Sequence, residues 1–251
     1  DSMVYSEGES HTPLASYLET EAEPLSTETV KLEQTAGLVP EVTFQGRYYQ
    51  GAELASLTDE WFDKRWMTAS AHEGIRWTLD QAMQGAKGRT DLVGHKIVSL
   101  GGGAELSPTR AMLRAGADVL YLDVREPRPE LLSDPLVSGT ITYVPGGANL
   151  LSQPREIAAT IRAFAGDDPV HIGMYAYSGG AAQEWRLTAA MNAIVRSLPP
   201  ALVRSLVMLI SPTTPGTVST ADEATSNDRK RWFLGPLGIG RSPSAMGQSG
   251  E

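Results

Sequence analysis

Cysteine is absent from this 251-residue chain. Its absence excludes disulfides, thiolate metal sites and a cysteine nucleophile together, and it fits a reducing soluble compartment, cytoplasmic or organellar. Lysine is also scarce, with only Lys230 remaining after Lys96. Histidine is limited to His11, His72, His95 and His171, and the start of a zinc-type H-E-x-x-H at His72-Glu73 breaks at Arg76, so no metal is expected. Long apolar runs are missing too. The longest is Leu206 to Ile210, far short of the ~20 residues needed to span a bilayer. No N-terminal stretch has the basic and apolar regions of a secretory signal, and the start at Asp1 rather than Met suits a processed or trimmed product.

Basic charge is sparse as well as uneven. The formal net charge is -9, and residues 1–40 alone hold eight carboxylates against one base, Lys31. An acidic end on a nearly balanced body argues against nucleic acid as a partner. Residues 1–40 have no sustained hydrophobic period and are expected to form an acidic arm, flexible or ordered by a partner. Residues 41–91 read as a hairpin and helical module. Val42 to Tyr49 supplies two β-rich pieces around Gly46, Gly51 to Leu57 a short helix, and Thr58-Asp59-Glu60 a capping signal before the next amphipathic stretch.

From residue 92 to 220 the pattern becomes an alternation of apolar strands with helices. Strands are expected at His95–Leu100, Asp118–Asp123, Thr140–Val144, Val170–Tyr177 and Leu206–Ser211. Helices are expected after Ser107-Pro108, over Pro154–Phe164 and over Ala181–Leu198. Buried strands separated by helices predict an α/β three-layer sandwich around a mostly parallel sheet covered on both faces, with the last strand fully apolar. Residues 213–251 mix Thr, Ser, Gly, Pro and charge, and residues 221–251 are expected to be a tail. Residues 1–40 and 213–251 are the expected partner-binding segments.

The first strand ends in Gly101-Gly102-Gly103, ahead of Ser107 at a helix start. Glycines there let a backbone approach a phosphate, toward which helix-start N–H groups point. Asp123 closes the next strand, 22 residues after Gly101, where a carboxylate accepts hydrogen bonds from a ribose. That favours NAD, whereas Arg125 two residues on would suit the extra phosphate of NADP.

This layout resembles the front half of the short-chain dehydrogenase/reductase superfamily of NAD(P)-binding Rossmann folds. Gly101, Gly103, Asp123 and the Tyr177-Ser178-Gly179-Gly180 loop stand where that plan has its cofactor contacts. The resemblance implies NAD or NADP bound by Gly101, Gly102, Gly103, Ser107, Asp123, Ser178 and Gly179, with Tyr177 or Ser178 beside the nicotinamide. The family's Tyr-x-x-x-Lys proton donor occurs nowhere in the chain, and Glu105 and Ser107 stand where it has glycines.

Two other readings stay open. A non-catalytic accessory subunit would use the scaffold for stability and its end segments to grip partners in a larger complex. Alternatively, Ala176-Tyr177-Ser178-Gly179-Gly180 matches the nucleophile elbow of α/β-hydrolases, with Ser178 as nucleophile. That reading needs a histidine at Ser178, yet all four histidines precede it.

Overall fold

The structure, a computed structural model, describes residues 4–33, 37–84 and 91–209 and the single residues 220, 221 and 224. It divides into two compact units, Asp1–Val39 with Gly85–Ser211, and Pro40–Gln84 with Pro212–Glu251.

The first unit is built on five parallel strands: β6 (Lys96–Leu100), β7 (Asp118–Leu122), β8 (Ser138–Tyr143), β9 (Val170–Met174) and β10 (Val203–Met208). A sixth, β3 (Glu28–Glu33), pairs antiparallel with β8, giving the order β10-β9-β6-β7-β8-β3. The expected mostly parallel α/β sheet is therefore present. Its strands are β-branched and apolar because both faces are covered. On one face Val98, Leu120, Ile172 and Met174 pack under helices α6 (Pro154–Ala165) and α7 (Ala181–Arg196), through Ile157, Ile161 and Ile194. On the other, Ile97, Val119, Tyr121 and Ile141 pack with Leu113 of the short helix α4 (Thr109–Arg114). Each such fully buried aliphatic side chain contributes about 1.5–3 kcal/mol by leaving water. A four-residue helix, α5 (Pro129–Leu132), follows β7.

Two expectations about this unit are corrected. The first concerns residues 1–40, expected to be an arm. Residues 4–33 instead form a hairpin, β1 (Val4–Glu7) and β2 (Ser10–Pro13), then helix α1 (Leu14–Glu19), then β3. Leu14, Tyr17 and Leu18 are buried, with Tyr5 and Ala193 packed against them. Tyr5 stacks on Tyr17 at 3.8 Å and donates its hydroxyl to Ser152 O. In β3, Leu32 is buried and Val30 packs against the same core, so the segment's few apolar residues are spaced to finish the sheet. The second concerns β10. It is an edge strand rather than a buried one, and Leu206, Val207 and Met208 are exposed.

In the second unit, β4 (Glu41–Phe44) and β5 (Arg47–Gln50) form the hairpin, turning through Gln45 and Gly46, both at positive φ. Helices α2 (Gly51–Asp63) and α3 (Ala69–Gln84) follow, with Leu54, Leu57 and Leu79 buried. Thr58 is no cap. It sits fully buried inside α2, its hydroxyl donating to Leu54 O at 2.8 Å, and the N–H of Ala71 is instead capped by Thr68 at 3.1 Å. The tail expected at 221–251 and the partner segment expected at 213–251 lie outside the described residues, apart from 220, 221 and 224. Among the described residues no helix is long and apolar enough to cross a membrane.

Candidate functional site: a crevice at the switch point of the sheet

The chain leaves β6 toward β7 on one side, while β9 lies on the other. Successive connections part there, opening a crevice beyond the carboxyl ends of the strands, where doubly wound sheets bind ligands. A cleft of about 450 Å³ occupies this place. Gly101, Gly103, Asp123, Tyr177 and Ser178 all line it, so the structure brings together five of the residues singled out from sequence. Asn149, Leu150, Leu151, Gln183 and Leu187 complete the wall.

The carboxyl ends of the parallel pair β6 and β9 are tied together by hydrogen bonds. Leu100 O accepts from Tyr175 N at 2.8 Å and Ala176 N at 2.9 Å. Gly101 sits at φ +85°, and a Cβ on it would overlap the Ala176 backbone, so only glycine lets the two loops meet. Gly102 lies directly on the Tyr121 ring, which a side chain at 102 would penetrate.

The Gly-rich turn differs from a free phosphate cradle. The Gly101 N–H donates to Leu122 O at 2.7 Å, and the Gly102 N–H reaches the same oxygen at 3.4 Å. The Gly103 N–H donates to Asp123 Oδ2 at 3.0 Å, and the other carboxylate oxygen accepts from Arg125 N at 3.3 Å. Asp123 thus fastens the turn to the end of β7 while keeping lone pairs for a further donor. Helix α4 is only six residues long, and its N-cap position is Pro108, which has no N–H.

Ser107 is also engaged inward. Its hydroxyl forms a closed trio with Ser99 and Thr109, at 3.3 and 2.8 Å, under the turn. Ser107 and Gly102 line a second cleft of about 1040 Å³, on the far side of the turn, together with Tyr121 and Arg128. Burial, followed by the charge of Asp123 and offset in part by Arg128, pushes the Tyr121 phenol up to about 12, so it stays protonated. Gly179 lines neither cleft.

Tyr177 is half exposed at the mouth, and Ser178 is partly buried. None of the histidine rings is hydrogen-bonded to Ser178. His11 bonds Ser6, His95 bonds His171, and His72 bonds Asp59 within the second unit. His171 stands at the opposite end of β9 from Ser178. Trp185 points to solvent at 78% exposure, and the cleft is lined by its neighbours Gln183 and Leu187 instead. Among the described residues no group of three or more His, Cys, Asp or Glu is placed to hold a metal ion.

Three of the residues missed from sequence share one origin. Asn149 to Leu151 follow β8, and every loop leaving the carboxyl edge near the switch point borders the crevice, whatever its composition. The signal was Pro145-Gly146-Gly147, a turn at that edge, after which Asn149 accepts from Leu151 N at 2.9 Å. A doubly wound α/β domain with a crevice of mixed polar and apolar lining at its switch point is the class these features define. Comparisons of the chain with protein-family models, with curated proteins and with solved structures yield no match.

Proposed function

We propose that the crevice binds the adenosine part of an adenine dinucleotide, NAD or NADP, and that the protein is a divergent nucleotide-binding Rossmann-like protein of oxidoreductase type. The observation that carries this reading is the convergence of Asp123, Asn149 and Ser178 around one cleft beside Gly101. Asp123 is the acceptor for the ribose hydroxyls. Val124, exposed at the cleft wall, and Leu150 and Leu151 supply apolar surface for the base. Tyr177 and Ser178 lie toward the nicotinamide end. The fit is good at the nucleoside and poor at the pyrophosphate, because the N–H groups of Gly101 to Gly103 are bonded within the protein. When bound, such a cofactor would supply hydride chemistry. This chain's residues bind and orient it, and none of them is assigned a proton-donating role.

The test is a titration with NAD⁺, NADH, NADP⁺, NADPH and adenosine, followed by equilibrium dialysis and thermal shift. Asp123→Asn keeps an acceptor for Gly103 but loses the charge, and about tenfold weaker binding is expected, equivalent to ~1.4 kcal/mol. Gly102 is a poor site for the test, since any side chain there strikes Tyr121 whatever the ligand. Absence of saturable binding at millimolar nucleotide overturns the assignment. A second reading, a non-catalytic accessory subunit, is favoured by the exposed Leu206, Val207 and Met208 on the outer strand β10. A purified chain that binds no nucleotide would leave that reading standing.

A further inference from the structure

At the amino ends of the strands, opposite the crevice, two strand side chains and one from the residue before a third strand form a hydrogen-bonded row. Ser205 Oγ on β10 lies 2.7 Å from His171 Nδ1 on β9. His171 Nε2 lies 3.2 Å from Nδ1 of His95, the residue before β6. The two imidazoles are tilted at 43°, with centroids 5.4 Å apart. Ser205 is exposed, whereas both histidines are partly buried.

The row depends on an irregularity in the sheet. Val203 pairs with Val170, but Ser205, not Arg204, pairs with His171, so β10 carries a bulge at Arg204. A bulge shifts every later side chain by one position relative to the partner strand. Without it, Arg204 would stand opposite His171 and Ser205 would pair one residue further along. The extra residue is what sets a hydroxyl against an imidazole.

We propose that Ser205 is a nucleophile activated by His171, with His95 as the positioning residue, and that this row accepts acyl groups from small activated esters. The pattern is that of covalent catalysis, in which a hydroxyl bonds a base that a third group orients. One proton arrangement serves it: Ser205 donates to His171 Nδ1, and His171 Nε2–H donates to His95 Nδ1. In the acylation step Ser205 Oγ bonds to the carbonyl carbon while His171 Nδ1 takes the hydroxyl proton. The ester C–O bond breaks, and the leaving alkoxide departs with that proton from His171. Water then attacks the acyl-serine, giving the carboxylic acid and restoring Ser205, so atoms balance with ester and water alone. Ser205 is exposed on the outer strand, so a small activated ester reaches it from solvent.

The groups facing His171 support a neutral base. Burial, then His95, then Arg204 hold its imidazole below the ordinary histidine range, which leaves it unprotonated near neutral pH. Ser205 from β10 and His95 from the β6 side are its two hydrogen-bond partners.

The experiment is reaction of the full chain with a fluorophosphonate, followed by peptide mass mapping. Here Ser205 Oγ bonds to phosphorus, fluoride leaves, and His171 takes the proton. The expected result is a label on the peptide containing Ser205. It should be lost in Ser205→Ala and at least tenfold slower in His171→Gln, a variant that keeps a polar group beside Ser205. Folding of each variant is checked by its thermal transition. His95→Gln is expected to slow labelling less and to shift the acid limb of the rate–pH profile, because the group bonded to His171 Nε2 has changed. A merely structural His95 would leave that limb in place. No label on Ser205, label on Ser178 instead, or equal rates in folded His171→Gln overturns the proposal. Nucleotide binding is read separately, so the failure of one assignment does not decide the other.

Discussion

At the scale of single residues, the glycines near the crevice are not equivalent, and their differences are measurable. Gly101→Ala forces a Cβ into the Ala176 backbone at a position with φ +85°. Strain at positive φ and overpacking each cost about 1–3 kcal/mol, so a loss of at least ~2 kcal/mol is expected from urea unfolding. Gly179→Ala meets open space and has no positive φ, so a change within about ±0.5 kcal/mol is expected. Equal costs at the two sites would contradict the described close approach of the loops after β6 and β9. His171 offers a second test. Its pKa is depressed on folding, so the folded state binds fewer protons than the unfolded chain as pH falls below the ordinary value of about 6.5. Its contribution to stability is therefore fully present above that pH and lost as pH drops through 6.5 toward the folded value. Melting measured from pH 7.5 downward should show this limb, and His171→Gln should flatten it.

Individual elements show what the sequence made legible and what it hid. The runs Ile97 to Leu100, Val119 to Leu122 and Val170 to Met174 were readable as strands because a doubly covered parallel strand must be apolar on both faces. The turn at Gly101 and the carboxylate at Asp123 were readable for the same topological reason. Strand β3 was not, since Val30 and Leu32 alternate with Thr29, Lys31 and two glutamates in a six-residue strand whose partner, β8, lies more than 100 residues away. The bonds that occupy the Gly-rich turn were equally hidden. They depend on the side-chain direction of Asp123, which no spacing specifies. The row of Ser205 and two histidines arises from a bulge and from three strands meeting, neither of which leaves a local pattern. Thr58 is the plainest misreading, because a Thr-Asp-Glu triplet marks a helix start only if the preceding residues are not already helical. Its actual place makes a prediction. Thr58→Val preserves shape and loses a hydroxyl bonded within its own helix, so a change below about 1 kcal/mol is expected. Leu57→Ala, on the buried face of α2, should cost about 2–5 kcal/mol. An N-cap role would raise the Thr58 cost, and chemical denaturation of both variants separates the cases.

At the scale of the whole molecule, the buried apolar side chains among the described residues are distributed very unequally. The first unit holds two large clusters, one on each face of its six-stranded sheet, and a third formed by α1. In the second unit the described core is Leu54, Ala55, Leu57 and Leu79, with Val42, Phe44, Tyr49 and Trp61 partly buried around it. Stability within one protein need not be uniform, and segments with few buried contacts open at lower free energy. Among the described residues, 40–84 bury less apolar surface than the sheet, and the buried indole N–H of Trp61 has no hydrogen-bond partner, which weakens that core. Hydrogen exchange followed by mass spectrometry should therefore resolve two levels of protection. Amides of β6, β7 and β9 should exchange only through global opening, while those of α2 and α3 should exchange at least tenfold faster at the same pH and temperature. A nucleotide bound at the switch point adds a further discriminant. It should slow exchange in the loops after β6, β7 and β9, which border the crevice, and leave α2 and α3 unchanged unless the two units are energetically coupled. Uniform protection across both units would mean that the chain unfolds as one cooperative body, and the small core around Leu57 would then owe its stability to the larger one.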